Sequence, residues 1–413
     1  MKVSLRHIFC AVSCSLLLSV CVTAQEYLPK WEKGYFDICT IATGLGENAL
    51  LIFPDGTTMV IDCGDMSGYK WNGVAVPDAS KTPAQWVARF IEHFTGRKDA
   101  DYFLLSHFHS DHMGRIYSAK TQKNGYDLCG VSELAEYIRF GKMIDRDYPF
   151  FSFPKDMRGD KSQGGDARST VNYIKFIEHQ VASGLTSAEK FVVGSRKQVK
   201  LEKDSKAYDF EVWNVAGNGL VSTGKGTKTR KMYSYAHPEE FDENMFSLAQ
   251  VFRYGKFKYF QGGDLGGGRW NLDWKVPGKG KYPRDFESQV ADAIGGPVHV
   301  MKANHHGCPD TSNPHFLWTL RPNAVIFSCS NASHPYKTSV VRMLDPLMPG
   351  CKLLYQTQET SREQMGEALF SRLQPAGHIV VRVYPGGDKY QIFVLDSRST
   401  DYRIIKKSKV FEL

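Results

Sequence analysis

Apolar and polar positions follow two rhythms along this chain, and the alternation between them lays out the fold. NALLIFPDGTTMVIDCGD (48–65) predicts two strands, Leu50–Phe53 and Thr57–Ile61, around a Pro-Asp-Gly turn, with Asp62 closing the second. TPAQWVARFIEHFTG (82–96) changes to the helical period: Thr82 is placed to cap, Pro83 to start and Gly96 to stop a helix. Its apolar face is Trp86, Val87, Phe90, Ile91 and Phe94. DYFLLSH (101–107) is then a short buried strand that runs straight into histidine.

Roughly 115–240 is less regular. It contains one clear helix, TVNYIKFIEHQVA, and the polar, glycine-bearing stretch GNGLVSTGKGTKTRKM, which predicts an exposed loop. Strands return with a hairpin at 244–264 around Tyr254-Gly255-Lys256, ending in Gly262-Gly263-Asp264. Two more follow in PVHVMKANHHG (297–307) and NAVIFSCSNASHP (323–335), and the chain closes on a hairpin at 377–396 around Pro-Gly-Gly-Asp. The recurring design is a buried strand whose C-terminal end carries Asp or His.

Lys2 and Arg6 precede an apolar run from Ile8 to Val22, with small residues at Val22 and Ala24. This predicts a cleaved signal peptide over 1–24, and a mature chain that is exported, periplasmic or extracellular. Lipid anchoring at Cys21 is the alternative, disfavoured by Val20 where that signal wants a very small residue. No later stretch is long and apolar enough for a membrane span. The formal charge of +8 falls to +6 without Lys2 and Arg6, which permits an anionic substrate without demanding one. Outside the leader stand Cys39, Cys63, Cys129, Cys308, Cys329 and Cys351, none spaced as C-x-x-C. That pattern excludes a cysteine zinc finger and a disulfide scaffold but leaves room for one or two disulfides.

SHFHSDHMG (106–114) packs His107, His109, Asp111 and His112 into six positions behind a buried strand. Imidazole and carboxylate at this density suit zinc, with manganese or iron as alternatives when the carboxylate share rises. Desolvating so many polar rings is costly unless a cation satisfies them. Four ligands could serve two ions, each needing more from elsewhere. Asp264 and His305 are the best suppliers because each ends an apolar strand; His305 is preferred for the metal and His306 for substrate, or for orienting a ligand.

SHFHSDHMG resembles the signature of the metallo-β-lactamase superfamily, and the surrounding order resembles its ComEC-like branch. The motifs that carry the resemblance are GLGENALLIFPDGTTMVIDCG, the histidine cluster, a hairpin from Asn244 to Gly263-Asp264, KANHHGC, and His334-Pro335 before the closing hairpin. It spans about residues 37 to 397, apart from the middle. It implies an α/β (α+β) fold, the four-layer αββα sandwich, as a single domain over 25–413 with a family-variable insertion at about 115–240. It further implies metal ligands His107, His109, Asp111, His112, Asp264 and His305, with Asp111, His306 and His334 as catalytic residues. Asp62 and Asn244 would orient them, and metal-bound hydroxide would be the nucleophile. Two departures stand out: relatives carry another histidine between the cluster and the Gly-Asp strand, for which His237 is a candidate and the helical His179 a poor one. Cys308 replaces a serine, either as an inert small residue or as a weak extra ligand.

The branch leans toward phosphodiesters, either nucleic acid or small phosphocholine-type esters. KGTKTRKMYSY (225–235) and RWNLDWKVPGKGKYPR (269–284) offer cations and aromatic rings for an anionic substrate, or are ordinary surface loops. The expectation is an exported metal-dependent hydrolase, phosphodiesterase-like, with one or two zinc ions. Lactone or cyclic-amide hydrolysis is an alternative within the same chemistry, and a binding module with a degenerate site is the alternative of another class.

Overall fold

A computed structural model describes residues 26–69, 74–117, 121–159, 165–233, 239, 241–267, 285–329, 331, 333–359 and 362–413. The leader, His237 and the 269–284 loop, with Arg269, Trp270, Lys275 and Tyr282, lie outside the described residues. The first strands are β1 (Phe36–Thr40), β2 (Asn48–Ile52), β3 (Thr58–Cys63) and β4 (Asp99–Leu104). A small ribbon follows, β5 (Gln122–Lys123) with β6 (Tyr126–Asp127), then β7 (Arg139–Asp145) and β8 (Ser187–Lys190). Next come β9 (Phe210–Gly217), β10 (Leu220–Ser222), β11 (Thr229–Lys231), β12 (Ala249–Tyr254), β13 (Phe257–Gln261), β14 (Val300–Lys302), β15 (Ala324–Phe327) and β16 (Leu353–Gln356). The chain closes with β17 (His378–Val383), β18 (Lys389–Leu395), β19 (Ile404–Lys407) and β20 (Phe411–Glu412).

One sheet has the order β19-β18-β17-β1-β2-β3-β4-β7-β8, with β20 also on β18; the other runs β11-β10-β9-β12-β13-β14-β15-β16. They face each other across a shared core that includes Phe36, Leu51, Met59 and Tyr102 from the first and Val212, Phe252, Tyr259 and Ile326 from the second. The outer face of the first sheet is covered by α1 (Pro83–Thr95), α2 (Ser110–Met113), α3 (Val131–Leu134) and α4 (Gly165–Ala182). α5 (Glu287–Ile294), α6 (Pro314–Leu320) and α7 (Lys337–Met343) cover the second. This is the four-layer αββα sandwich that the motifs imply.

The predicted elements form for the expected reasons. Thr82 accepts from the Gln85 backbone while the Gln85 side chain returns a bond to the Thr82 N–H, and Gly96 ends α1 in the left-handed conformation. Asp55 accepts from Thr57 N at 2.8 Å to close the turn between β2 and β3. Other expectations need correction. The 217–232 stretch is not a loop: it ends β9 and supplies β10 and β11, a sheet-edge hairpin. Backbone pairing orders β11 although Thr229, Arg230 and Lys231 are all exposed, so its side chains carry no strand pattern. The strand predicted at 297–307 is only three residues long, because His305 and His306 turn left-handed behind it. All six described cysteines are buried and free, so none forms a disulfide among the described residues.

Parallel pairing of β3, β4, β7 and β8, and of β13 to β16, aligns the C-terminal ends of these strands within each sheet. The two sets meet at one edge of the sandwich, where the Leu248 N–H donates to Ser106 O at 2.9 Å. Ligand-bearing loops at the carboxyl ends of parallel strands are the usual place for chemistry in α/β architectures.

Candidate metal centre

The loop after β4 is fixed before it reaches any partner histidine. Asp62, at the end of β3 with φ of 60°, accepts from Ser106 N and Ser106 Oγ, both at 2.7 Å, and from His112 Nδ1 at 2.8 Å. Glu243 accepts from Phe108 N at 3.0 Å, and Asp166 from Ser110 N at 3.0 Å and Ser110 Oγ at 2.6 Å. The Glu47 N–H donates to Asp111 O at 2.8 Å. Gly64 packs so closely beneath this loop that a Cβ there would collide with the Asp111 carbonyl.

Asp264 comes from the other sheet, just after β13, and its two oxygens do different work. Lys302, at the end of β14 and almost wholly buried, donates to Asp264 Oδ1 at 3.1 Å and to Gly263 O at 2.7 Å, and forms an ion pair with Glu47 Oε2 at 2.7 Å. Oδ2 is left facing the histidines, 3.2 Å from His112 Nε2 and 3.2 Å from His306 Nε2. Those two nitrogens are 3.3 Å apart, so the three donors form an almost equilateral triangle. Ligands of a zinc-sized ion at about 2.0–2.1 Å stand roughly 3.3 Å from one another. Asp111 Oδ2 adds a fourth donor 3.1 Å from His306 Nε2. Beside it, His107 Nε2 and His109 Nδ1 lie 3.1 Å apart, with His107 Nε2 3.9 Å from Asp264 Oδ2.

The hydrogen bonds behind the rings set their tautomers. His112 Nδ1–H donates to Asp62 and His306 Nδ1–H to Ser328 O at 2.6 Å, so both present Nε2 to the same point. Two facing lone pairs at this distance require a cation between them, either a proton or a metal. Burial opposes charge on the His306 ring, but Asp264 and Asp111 push its pKa up to about 9. Burial is likewise overcome at His112, held well above the ordinary histidine value by Asp264, Asp111 and Asp62. Burial would raise the Asp264 carboxyl, yet His306, His112 and Lys302 hold it well below the carboxylate range. His107 goes the other way, pushed well down by burial and by its neighbour His112. Carboxylates that hold protons on two imidazoles would hold a divalent ion in their place, so the donor set fits one.

The remaining residues sort by position. His305 stands at the margin of the triangle, with Nε2 4.0 Å from Asp264 Oδ2 and Nδ1 3.2 Å from Asp310 Oδ1. Asn244 Nδ2 lies 3.2 Å from His305 Nε2, so Asn244 contacts that histidine and not the histidine loop. His334 stacks on His306, with centroids 4.8 Å apart and planes 14° off parallel. His179 meets Asn124 Nδ2 at 3.0 Å, on α4. Sequence reading missed Glu47 and Lys302 as parts of the centre; the available signal was an acid at the start and a lysine at the end of otherwise apolar strands. A cavity of about 300 Å³ opens beside His109, lined by Phe108, Arg146, Lys155, Phe241 and Phe246 among others.

No protein-family model and no curated protein matches this chain. Solved structures do. CmlA, a diiron beta-hydroxylase from Streptomyces venezuelae, is 13% identical at a TM-score of 0.34, covering 76% of this chain and 48% of that one. YhfI from Bacillus subtilis, described as a metallo-beta-lactamase fold protein, is 9% identical at 0.32, covering 82% and 93%. A diphosphatase from the PhnP family is 9% identical at 0.35, covering 85% and 98%. The chain spans about half the length of CmlA. Metallo-β-lactamase-fold proteins thus stand among the similar structures, and at these identities and scores no activity passes from them to this chain.

Proposed function

We propose that this chain is an exported, metal-dependent hydrolase of ComEC-like type that cleaves an anionic phosphoester. The observation that carries the reading is the triangle of His112 Nε2, His306 Nε2 and Asp264 Oδ2, with edges of 3.2 to 3.3 Å, beside the His107–His109 pair. Asp111, His112, Asp264 and His306 would hold one ion; His107, His109 and Asp264 would hold the other. His306 thereby takes the ligand position first given to His305. Zinc suits this nitrogen-rich set best, with manganese or iron as the alternatives. When bound, a divalent ion supplies a Lewis acid for the ester oxygen and acidifies water.

The chain's own residues do the rest. Lys302 fixes Asp264 through Oδ1, and Asp62 and Ser328 fix the rings of His112 and His306. Asp111, one-fifth exposed at its side chain, is placed to accept a proton at the mouth of the centre. His334 holds the plane of His306 by stacking. The phosphoester preference is supported by the resemblance and by the basic aromatic segment 269–284, which follows Asp264 closely in sequence.

Metal analysis of the purified protein, followed by assay on bis-p-nitrophenyl phosphate, nitrocefin and a lactone, tests the reading. Bound transition metal and turnover of the phosphate ester are expected. His107→Ala should lower that rate on the order of 1000-fold, the loss of several kcal/mol of Lewis-acid stabilisation. A metal-free protein, or activity indifferent to His107→Ala, would sink the hydrolase; turnover of lactone or nitrocefin alone would sink the substrate class. N-terminal sequencing of the mature protein tests export, which fails if residues 1–24 are retained.

A further inference from the structure

The turn after β14 gathers a second set of donors outside the triangle. His305, Cys308 and Asp310 each offer one ligand atom, and these lie within 4.8 Å of one another. We propose that these three residues form a separate site for a thiophilic divalent cation of the zinc class. The proposal does not depend on the hydrolase reading and stands even if the protein hydrolyses nothing.

The local chain explains the gathering. His305 and His306 are consecutive left-handed residues, with φ of 45° and 53°. One ring is buried against Asp264, while the other turns outward to Asp310. The Cys308 N–H donates to His305 O at 2.7 Å, closing the turn. Thr311 Oγ1 and Ser339 Oγ both donate to Cys308 O at 2.9 Å, so the cysteine backbone is fixed from two elements.

The chemistry favours zinc over magnesium or calcium. Imidazole, thiolate and carboxylate together carry two negative charges, matching a dication, and sulfur selects the softer metals. Cys308 is buried, whereas the side chains of His305 and Asp310 are 26% and 36% exposed, leaving a fourth position open to solvent. Cys308 Sγ lies 3.4 Å from His334 Nε2, within reach of the thiol proton that ligation must displace.

Asn244 supplies an independent observation. It is buried, its Nδ2 lies 3.2 Å from His305 Nε2, and its Oδ1 has no hydrogen-bond partner. Nδ2 is also 3.5 Å from His305 Nδ1, so the amide rests against the ring between its two nitrogens, with its unpartnered oxygen buried beside the proposed site.

Cobalt substitution of the full chain tests the site. A sulfur-to-cobalt charge-transfer band is expected in the wild type and in His112→Ala. In Cys308→Ser it should vanish, with about one equivalent of metal lost and the far-ultraviolet circular dichroism unchanged. No band at saturating cobalt, or a band that survives Cys308→Ser, overturns the proposal. Should Cys308→Ser not fold, the partly exposed Asp310→Asn takes its place. That variant should raise the cobalt concentration at half-saturation of the band by on the order of 10-fold or more; an unchanged midpoint overturns the site.

Discussion

The histidine loop after β4 and the turn after β14 meet at Asp264 Oδ2, and they are held there by different means. Residues 106–112 are pinned by carboxylates from three distant elements: Asp62 from β3, Asp166 from α4 and Glu243 from the turn before β12. The 304–313 segment leans chiefly on Glu287 of α5, which accepts from Asn304 Nδ2, Ser312 N and Asn313 N, each at 2.8 Å, with Asp285 accepting from Asn313 Nδ2 at 2.9 Å. The first arrangement spreads its bonds over three carboxylates. The second rests on a carboxyl that burial pushes up to about 7 despite those three donors. A ligand loop can therefore be held either by several carboxylates from separate elements or chiefly by one whose charge depends on pH.

The largest effect should come from cutting an anchor of the first loop. Glu243 pairs with Arg146 through Oε1 at 2.6 Å and Oε2 at 2.7 Å, and the Arg146 side chain is fully buried between Phe108 and Phe246. Glu243→Ala leaves that guanidinium without its counter-charge and frees Phe108 N. Urea unfolding should show a loss of about 3–5 kcal/mol; a loss under 1 kcal/mol would mean that the anchors are redundant.

Next in size is the pH response of the second loop. Glu287 binds its proton more tightly folded than unfolded, so its contribution favours the folded state at low pH and is lost as pH rises from about 4.5 to about 7. That difference is on the order of 3 kcal/mol. Between pH 5 and 8 the wild type should lose stability relative to Glu287→Gln, whose curve lacks this component. Parallel curves would place the anchoring elsewhere.

The smallest effect tests orientation alone. Asp62→Asn keeps the shape but weakens the bond that fixes His112 Nδ1–H, and should reduce zinc affinity about 10–100-fold with little change in fold. Competition against a chelator measures it. Unchanged affinity would mean that the neighbouring ligands alone orient His112.

Much of the frame was legible because it is local. α1 announced itself through Thr82, Pro83, Gln85 and Gly96, and each strand leading to the centre ended on a residue whose type did not fit a core. β10 and β11 were not legible, because an edge hairpin held by backbone pairing needs no apolar alternation. Nor was the different placing of His305 and His306. Adjacent residues in the same motif look equivalent until two left-handed φ angles send their rings apart.

By itself the sequence determined the periodicities, the caps and the dense histidine loop, since these depend on neighbours within a few positions. Tertiary structure decided that Glu47 and Lys302 stand beside Asp264, that Asp264 turns one oxygen to a lysine and the other to two histidines, and that Asn244 lies against His305. Those choices depend on two sheets packing face to face, which brings within 3.3 Å side chains such as His112 and His306, nearly two hundred residues apart in the chain.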